Sequence, residues 1–384
     1  MKTPSEIEIS AIALEHNVQF IRQLVKKDVK ISSVVKGNAY GHGIEQYVPV
    51  AEHCGIDHFS VFGADEAFRV MKVKQPETNV MIMGWIPDGE LAWVIRNGIE
   101  FWIFDTDRLK KALKEAQKQE KKARVHIELE TGMNRTGLSK PEVDEVITLL
   151  KEHKNNIELT GLCTHLAGAE SIANHVRIHR QIKRFKAFIK QFRSQGLNPM
   201  FLHAASSAAT ITYPAFRFDM VRIGILQYGY WPSAETLIHY ISRRKDKTDP
   251  LERIISWKSS IMVLKNVHQG EFVSYGTNYQ AIENQCIAII PAGYSHGYSR
   301  SLSNSGWVLI HEQRVAIIGM INMNMLIVDV TSLPDVKIGD EVVLIGVQGQ
   351  QKISVASFSV LSNQLNYEML TRLPSSINRK SVWK

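Results

Sequence analysis

The chain has 384 residues, long for one ordinary domain and suited to two. Hydrophobic residues make up 44% and charged residues 22%, the profile of a soluble globular protein. Forty-six Lys and Arg against 38 Asp and Glu leave a net charge of +8, spread along the chain. KKALKEAQKQEKKAR (110–124) alternates signs at helical spacing and reads as a solvated helix face. A nucleic-acid binder would carry a basic stripe with interleaved aromatics instead. The positive excess suits a pocket for a phosphate or carboxylate. MKTPSEIEIS holds no apolar stretch fit for a signal peptide, and no segment approaches the roughly 20 apolar residues of a membrane span. Cys54, Cys163 and Cys286 lie far apart and fit no zinc or redox spacing. The expectation is a cytoplasmic protein without metal, membrane or nucleic-acid partner.

Strand-like runs alternate with helical patterns from 31 to about 225. The strands are ISSVV (31–35), HFSVF (58–62), NVMIM (79–83), FWIF (101–104), VHIEL (125–129), ELTGLC (158–163), MFLHA (200–204) and MVRIG (220–224). The clearest helix is HVRIHRQIKRFKAFIKQFR (175–193). Ile178, Ile182, Phe185, Ile189 and Phe192 form its apolar stripe, and Gly196 and Pro199 stop it. Eight such units predict a parallel (β/α)8 TIM-type barrel over residues 1–242. A doubly wound sheet is the rival, but no Gly-rich dinucleotide fingerprint follows the first strand. SRRKDKTDPLER (242–253) reads as a linker. IISWKSSIMVL, CIAIIP, WVLIHE, RVAIIGMI, MLIVDV and EVVLIG then predict a mainly-β C-terminal domain over 243–384, with helix signals returning only near 355–365.

Barrels collect chemistry at the C-terminal ends of their strands. There this chain carries Lys36, then Glu128, Glu130 and Arg135 in ELETGMNRTG, His165 in LCTHLAG, His203, Ser206 and Ser207 in LHAASSAA, and Arg222, Gly224 and Ile225 in VRIGILQYG. The residues after the last two strands occupy a common phosphate position of such barrels. A lysine, a phosphate cradle and no metal cluster point to imine chemistry, either with the substrate itself or with pyridoxal phosphate. Arg222 bears on the choice. A guanidinium beside a pyridine nitrogen cannot hand over a proton, which suits brief removal and return of one α-proton.

These residues resemble the alanine racemase family of fold-type III pyridoxal-phosphate enzymes. The resemblance is carried by EIEISAIALEHNV, VVKGNAYGHG, TGMNRTG, THLAGAE, HAASSAA, MVRIGILQYG, VSYGTNY, PAGYSHGY and MINMNM, nearly the length of the chain. It implies a homodimer with shared active sites. It implies that Lys36 holds the cofactor and serves as one base, and that Tyr275 of the other subunit is the opposite base. His165 and Arg300 match supports of that tyrosine. Tyr40, Ser207, Gly224 and Ile225 match phosphate contacts. Arg222 matches the pyridine partner, and His203 stands behind it. Arg135 matches the group that meets cofactor and substrate carboxylate, with Met323 and Tyr294 on the substrate side. Gly37, Gly41 and Gly43 let the backbone turn tightly after Lys36.

Four departures from the family pattern bear on specificity. Glu128 replaces a lysine that is often carbamylated, and supplies its negative charge without modification. Asn322-Met323-Asn324 replaces Cys-Met-Asp. His296 replaces the Asp of GYADGY. A phosphate-contacting tyrosine near the C-terminus aligns with Ser375, which would lose one bond and widen the entry. The resulting expectation is a racemase of alanine, with a broader set including serine as the alternative. A decarboxylase lacks its acidic pyridine partner here, and a non-catalytic cofactor-binding regulator would have no need of both Lys36 and Tyr275.

Overall fold

The computed structural model describes residues 3–355 and 366–383. The helical signal at 355–365 thus falls almost wholly outside the described residues. By contact the chain forms two units, Ala13–Gly37 with Val48–Glu252, and Met1–Ile12 with Asn38–Tyr47 and Arg253–Lys384.

Strand β1 (Ser5–Ser10) belongs to the second unit. The first unit holds β2 (Lys30–Val34), β3 (His58–Val61), β4 (Asn79–Ile82), β5 (Glu100–Ile103), β6 (Ala123–Glu128), β7 (Ile157–Cys163), β8 (Phe201–His203) and β9 (Met220–Ile223). They pair in parallel in the order β8-β7-β6-β5-β4-β3-β2-β9. The backbone amides of Asp219 and Arg222 donate to the carbonyls of Leu202 (3.0 Å) and Ala205 (2.9 Å), which nearly closes the barrel between β8 and β9. Each expected barrel strand is found within two residues of its bounds. The helix His175–Ser194 buries Ile178, Ile182, Phe185, Ile189 and Phe192 as its stripe requires. Residues 243–252 stay with this unit. Asn17 brackets the Glu252 backbone with bonds of 2.7 and 2.9 Å, and Trp231 Nε1 donates to Asp249 Oδ1 (2.8 Å).

The second unit adds β10 (Ile255–Ser260), β11 (Val263–Val267), β12 (Gln285–Ile290), β13 (Trp307–Ile310), β14 (Gln313–Ala316), β15 (Leu326–Asp329), β16 (Glu341–Gln348), β17 (Gln351–Ile353) and β18 (Asn378–Val382). One sheet runs β14-β13-β16-β10-β1-β18, with β17 on β16; a smaller one runs β11-β12-β15. The run IISWKSSIMVL breaks into β10 and β11. EIEIS is a half-buried strand by its alternation: Ile7 and Ile9 are fully buried, and Ile7 lies opposite Trp257 on one side and Arg379 on the other. Among the described residues no helix is long and apolar enough to cross a membrane.

Candidate active site

Lys36 follows β2 and opens on solvent at the barrel mouth. The walls around it and the Arg135 charge hold its ammonium below the ordinary lysine range; Glu66 opposes this and Arg222 adds to it. A larger share of the amine is therefore neutral and able to attack a carbonyl or take a proton.

The turn after Lys36 is left-handed. Gly37, Asn38, Ala39 and Tyr40 take φ of 62, 55, 53 and 52°, and Gly41 follows at 83°. Left-handed helix costs roughly 1–2 kcal/mol for each non-glycine residue. Compensating bonds surround the turn. His42 Nδ1 lies 2.9 Å from Ala39 O and 3.0 Å from Tyr40 O, so it carries the proton and donates. Gly43 N donates to Asn38 O (2.9 Å), and Ile44 N to Asn38 Oδ1 (3.2 Å). Arg379 Nε donates to Gly41 O (2.8 Å). A Cβ at Gly41 would stand 1.9 Å from Leu370 O, so only glycine fits. Tyr40 is buried, and its ring meets Tyr367 at 6.0 Å between centroids.

The barrel strands bring the other expected residues together. Arg222 on β9 is buried, its guanidinium 5.2 Å over the Trp102 ring. Its Nη1 donates to His203 Nδ1 (2.6 Å), and its Nη2 to Thr164 O (2.9 Å). Nη2 also lies 3.4 Å from His165 Nδ1. Burial first, then the Arg222, Arg135 and Lys36 charges, push the His165 imidazole down to about 3. His165 is thus neutral. Arginine has only donors to offer Nδ1, so the His165 proton sits on Nε2. Ser207 Oγ accepts from Gly224 N (2.9 Å), which leaves its own proton to donate beside the turn Ile225–Tyr228.

Glu128 ends β6 and is buried. Burial raises its carboxyl above the ordinary range, against the pull of the Thr136 hydroxyl and the Arg222 and Arg135 charges. Its Oε2 has no hydrogen-bond partner among the described residues. Arg135 itself is exposed, on a loop shaped from two sides. Glu130 accepts from the backbone amides of Met133 and Asn134 (2.8 Å each) and of Gly132. The helix His175–Ser194 grips the loop's carbonyls: Arg177 Nη2 donates to Gly132 O (2.9 Å) and Arg184 Nη1 to Thr131 O (3.1 Å).

Tyr275, Tyr294, Arg300 and Met323 all belong to the β-rich unit. Tyr275 is 72% exposed and Met323 55%. Ser274, at φ 68°, sets Tyr275; its Oγ lies 2.7 Å from Met320 O and 3.1 Å from Asn322 Oδ1. Met323 O accepts from Ser295 N (2.9 Å) and Oγ (2.7 Å), and His296 Nδ1 accepts from Gly293 N (3.2 Å). Ser375 is exposed in the turn beyond the helix Asn366–Thr371. On that helix, Tyr367 packs its ring against Tyr40.

The family model for the N-terminal domain of alanine racemase matches residues 9–232, and that for its C-terminal domain matches 254–381. The chain belongs to the alanine racemase family. Alanine racemase of Leptospira interrogans is 33% identical over 98% of this chain and 95% of that one. That of Methanococcus maripaludis is 31% identical over 98% and 97%. Among solved structures, alanine racemase of Clostridium difficile superposes with a TM-score of 0.89 at 28% identity, covering 100% of this chain and 96% of that chain. The Bacillus anthracis enzyme with bound L-Ala-P gives 0.86 at 29%, with the same coverage. Alanine racemases depend on pyridoxal phosphate. Sequence reasoning missed Tyr367, Arg379 and the buried polar residues beneath Arg222.

Proposed function

We propose that this protein interconverts L- and D-alanine with pyridoxal phosphate bound, using Lys36 and Tyr275 as bases on opposite faces of the substrate. The observation that carries the reading is the Lys36 amine, depressed at a barrel mouth that also holds Arg135, His165 and Arg222. The donor set fits the cofactor. The amine suits its carbonyl, the Ser207 hydroxyl and the Gly224–Ile225 turn with Tyr40 suit its phosphate, and Arg222 suits its ring nitrogen. When bound, pyridoxal phosphate supplies the electron sink that acidifies the α-proton.

The chain's own groups then divide the work. Lys36 takes or returns the proton on one face. Arg135 holds the substrate carboxylate, helped by the Met323 backbone and Tyr294, and Glu128 orients Arg135. A phenol has an ordinary pKa of about 10, so Tyr275 needs a donor to stabilise its phenolate. Neutral His165 provides one at Nε2, and Arg300 supports the same tyrosine. The exposure of Tyr275 and Met323 suits a homodimer in which each is covered by a second copy and completes that copy's site. The three cysteines are unpaired, which suits a reducing cytoplasm.

Tyr275→Phe tests the two-base arrangement. Racemisation should fall about 10²–10⁴-fold, the usual worth of a general base. In deuterium oxide, α-proton exchange should fail from one enantiomer and persist from the other. Symmetric, near-normal exchange would contradict the assignment. Mixing Tyr275→Phe with Lys36→Ala should restore activity, since a mixed dimer rebuilds one intact site; no restoration rejects shared sites.

A further inference from the structure

Beneath Arg222 the barrel interior holds a file of buried polar side chains where aliphatic layers would be usual. His203 Nδ1 accepts from Arg222 Nη1 at 2.6 Å. His203 Nε2 and His126 Nδ1 are 2.9 Å apart. His126 Nε2 lies 2.8 Å from Glu100 Oε2, and His58 Nε2 lies 3.1 Å from the same oxygen. Arg124 Nη2 meets Glu100 Oε1 at 2.7 Å. His58, Glu100, His126 and His203 are each at most 1% exposed. The fold makes room for this file: a Cβ at Gly161 on β7 would stand 2.2 Å from His126 Nδ1.

We infer that Glu100 is a positioning residue for Arg222, acting by fixing the tautomers of His126 and His203. The reasoning runs upward from the carboxylate. An ionised carboxylate only accepts, so His126 must carry its proton on Nε2. His126 Nδ1 is then a lone pair, and His203 must donate to it from Nε2. His203 Nδ1 is left as a lone pair, the only state that can receive the Arg222 guanidinium. Burial keeps both imidazoles neutral: His203 lies well below the ordinary range and His126 below it. Glu100 itself is held well below the ordinary carboxylate range. Burial opposes this, but the hydrogen bonds from His126 and His58 outweigh it. Reversing the His126 tautomer would place N–H against N–H at Arg222 and turn the guanidinium from its position. The inference deepens the functional reading and rests on its placement of Arg222 at the cofactor ring.

Histidine ¹⁵N NMR of the holoenzyme, with Glu100→Gln and Gly161→Ala, provides the test. In the wild type, both His126 and His203 should be protonated on Nε2 alone; the opposite tautomer in either overturns the inference. A glutamine at 100 can turn its amide NH₂ toward His126, and Gly161→Ala displaces the His126 ring with the carboxylate retained. Both variants should change the tautomer signals, shift the absorption maximum of the bound cofactor and lower kcat about tenfold, the scale of losses from outer hydrogen-bond partners. KM for alanine should stay near its original value. Loss of thermal stability with tautomers, spectrum and kcat unchanged means a merely structural file and overturns the inference. Changed tautomers with an unchanged cofactor spectrum uphold tautomer control by Glu100, and instead reject the placement of Arg222 at the ring.

Discussion

Arg379→Met would remove the clamp on the left-handed turn while keeping most of the aliphatic stem. Arg379 is 7% exposed on β18 and donates to four backbone carbonyls: Gly41 (2.8 Å), Ile377 (2.8 Å), Pro374 (2.9 Å) and Leu373 (3.1 Å). A hydrogen bond to a charged group contributes about 1.5–3 kcal/mol, and a buried guanidinium gives back part of that in desolvation. Four bonds that share one cation do not add, so the loss should be about 2–4 kcal/mol. The Gly41 bond bears on the turn directly. Asn38, Ala39 and Tyr40 together hold roughly 3–6 kcal/mol of left-handed strain, so a turn released at Gly41 should relax. If Tyr40 then loses one phosphate contact, cofactor Kd should rise about tenfold, the equivalent of 1.4 kcal/mol. Urea unfolding of the cofactor-free protein reads the first quantity, and absorbance titration with pyridoxal phosphate the second. Arg379→Lys, with fewer donors, should fall between. Wild-type stability in Arg379→Met would refute the count of bonds. A stability loss with unchanged Kd would refute the link from β18 to the turn.

Two further predictions concern buried charge. Glu128→Lys places a third cation beside Arg135 and Arg222 and should cut activity strongly. Bicarbonate should restore part of it by carbamylating the new amine, and Glu128→Gln should gain nothing; activity of Glu128→Lys unaffected by bicarbonate would count against a charge role. The second concerns acid. His165, His42, His126 and His203 are neutral in the fold, with folded pKa values of about 3 and about 4 for the first two. In the unfolded chain each takes up a proton near about 6.5, so the unfolded state binds more protons below that pH. Stability is therefore full above about 6.5 and is lost as pH falls toward 4, by up to about 1.4 kcal/mol per pH unit for each histidine. A flat urea midpoint between pH 7 and 5 would refute this.

The barrel strands were legible because β-branched and aromatic runs alternate with amphipathic helices, a local signal. β1 and β18 were not, because their partners lie far along the chain: Glu6 pairs with Lys258 and with Asn378. Strand-end residues such as Lys36, His165 and Arg222 could be found from topology alone. The file under them left a fainter trace. Parallel barrel strands are usually apolar on both faces, yet VHIE alternates, with Val125 and Ile127 on one face and His126 and Glu128 on the other. Helices cover the outside, so the polar face had to point inward. No such rule reveals positive φ at Ala39 and Tyr40. Glycines flank them, but alanine and tyrosine rarely adopt that region, and it is imposed by bonds from His42 and Arg379.

Substrate breadth turns on the same distinction between alignment and contact. The case for a larger substrate rested on Ser375 and the Asn322–Asn324 pair. Both asparagines are engaged within their own unit: Asn322 Oδ1 lies 3.1 Å from Ser274 Oγ, and Asn324 Nδ2 donates to Ser295 Oγ at 3.0 Å. Tyr367 packs on Tyr40, so aromatic bulk stands beside Tyr40 whatever residue occupies position 375. A site closed in this way should favour alanine, since one added group in a small pocket is worth about 1–3 kcal/mol of discrimination, or roughly 10–200-fold. Rates on a panel of L-amino acids should therefore put kcat/KM for serine at least about tenfold below alanine. Tyr367→Ala should narrow that ratio by admitting serine rather than by slowing alanine alone. Serine turned over as well as alanine by the wild type would mean that Tyr367 does not bound the pocket.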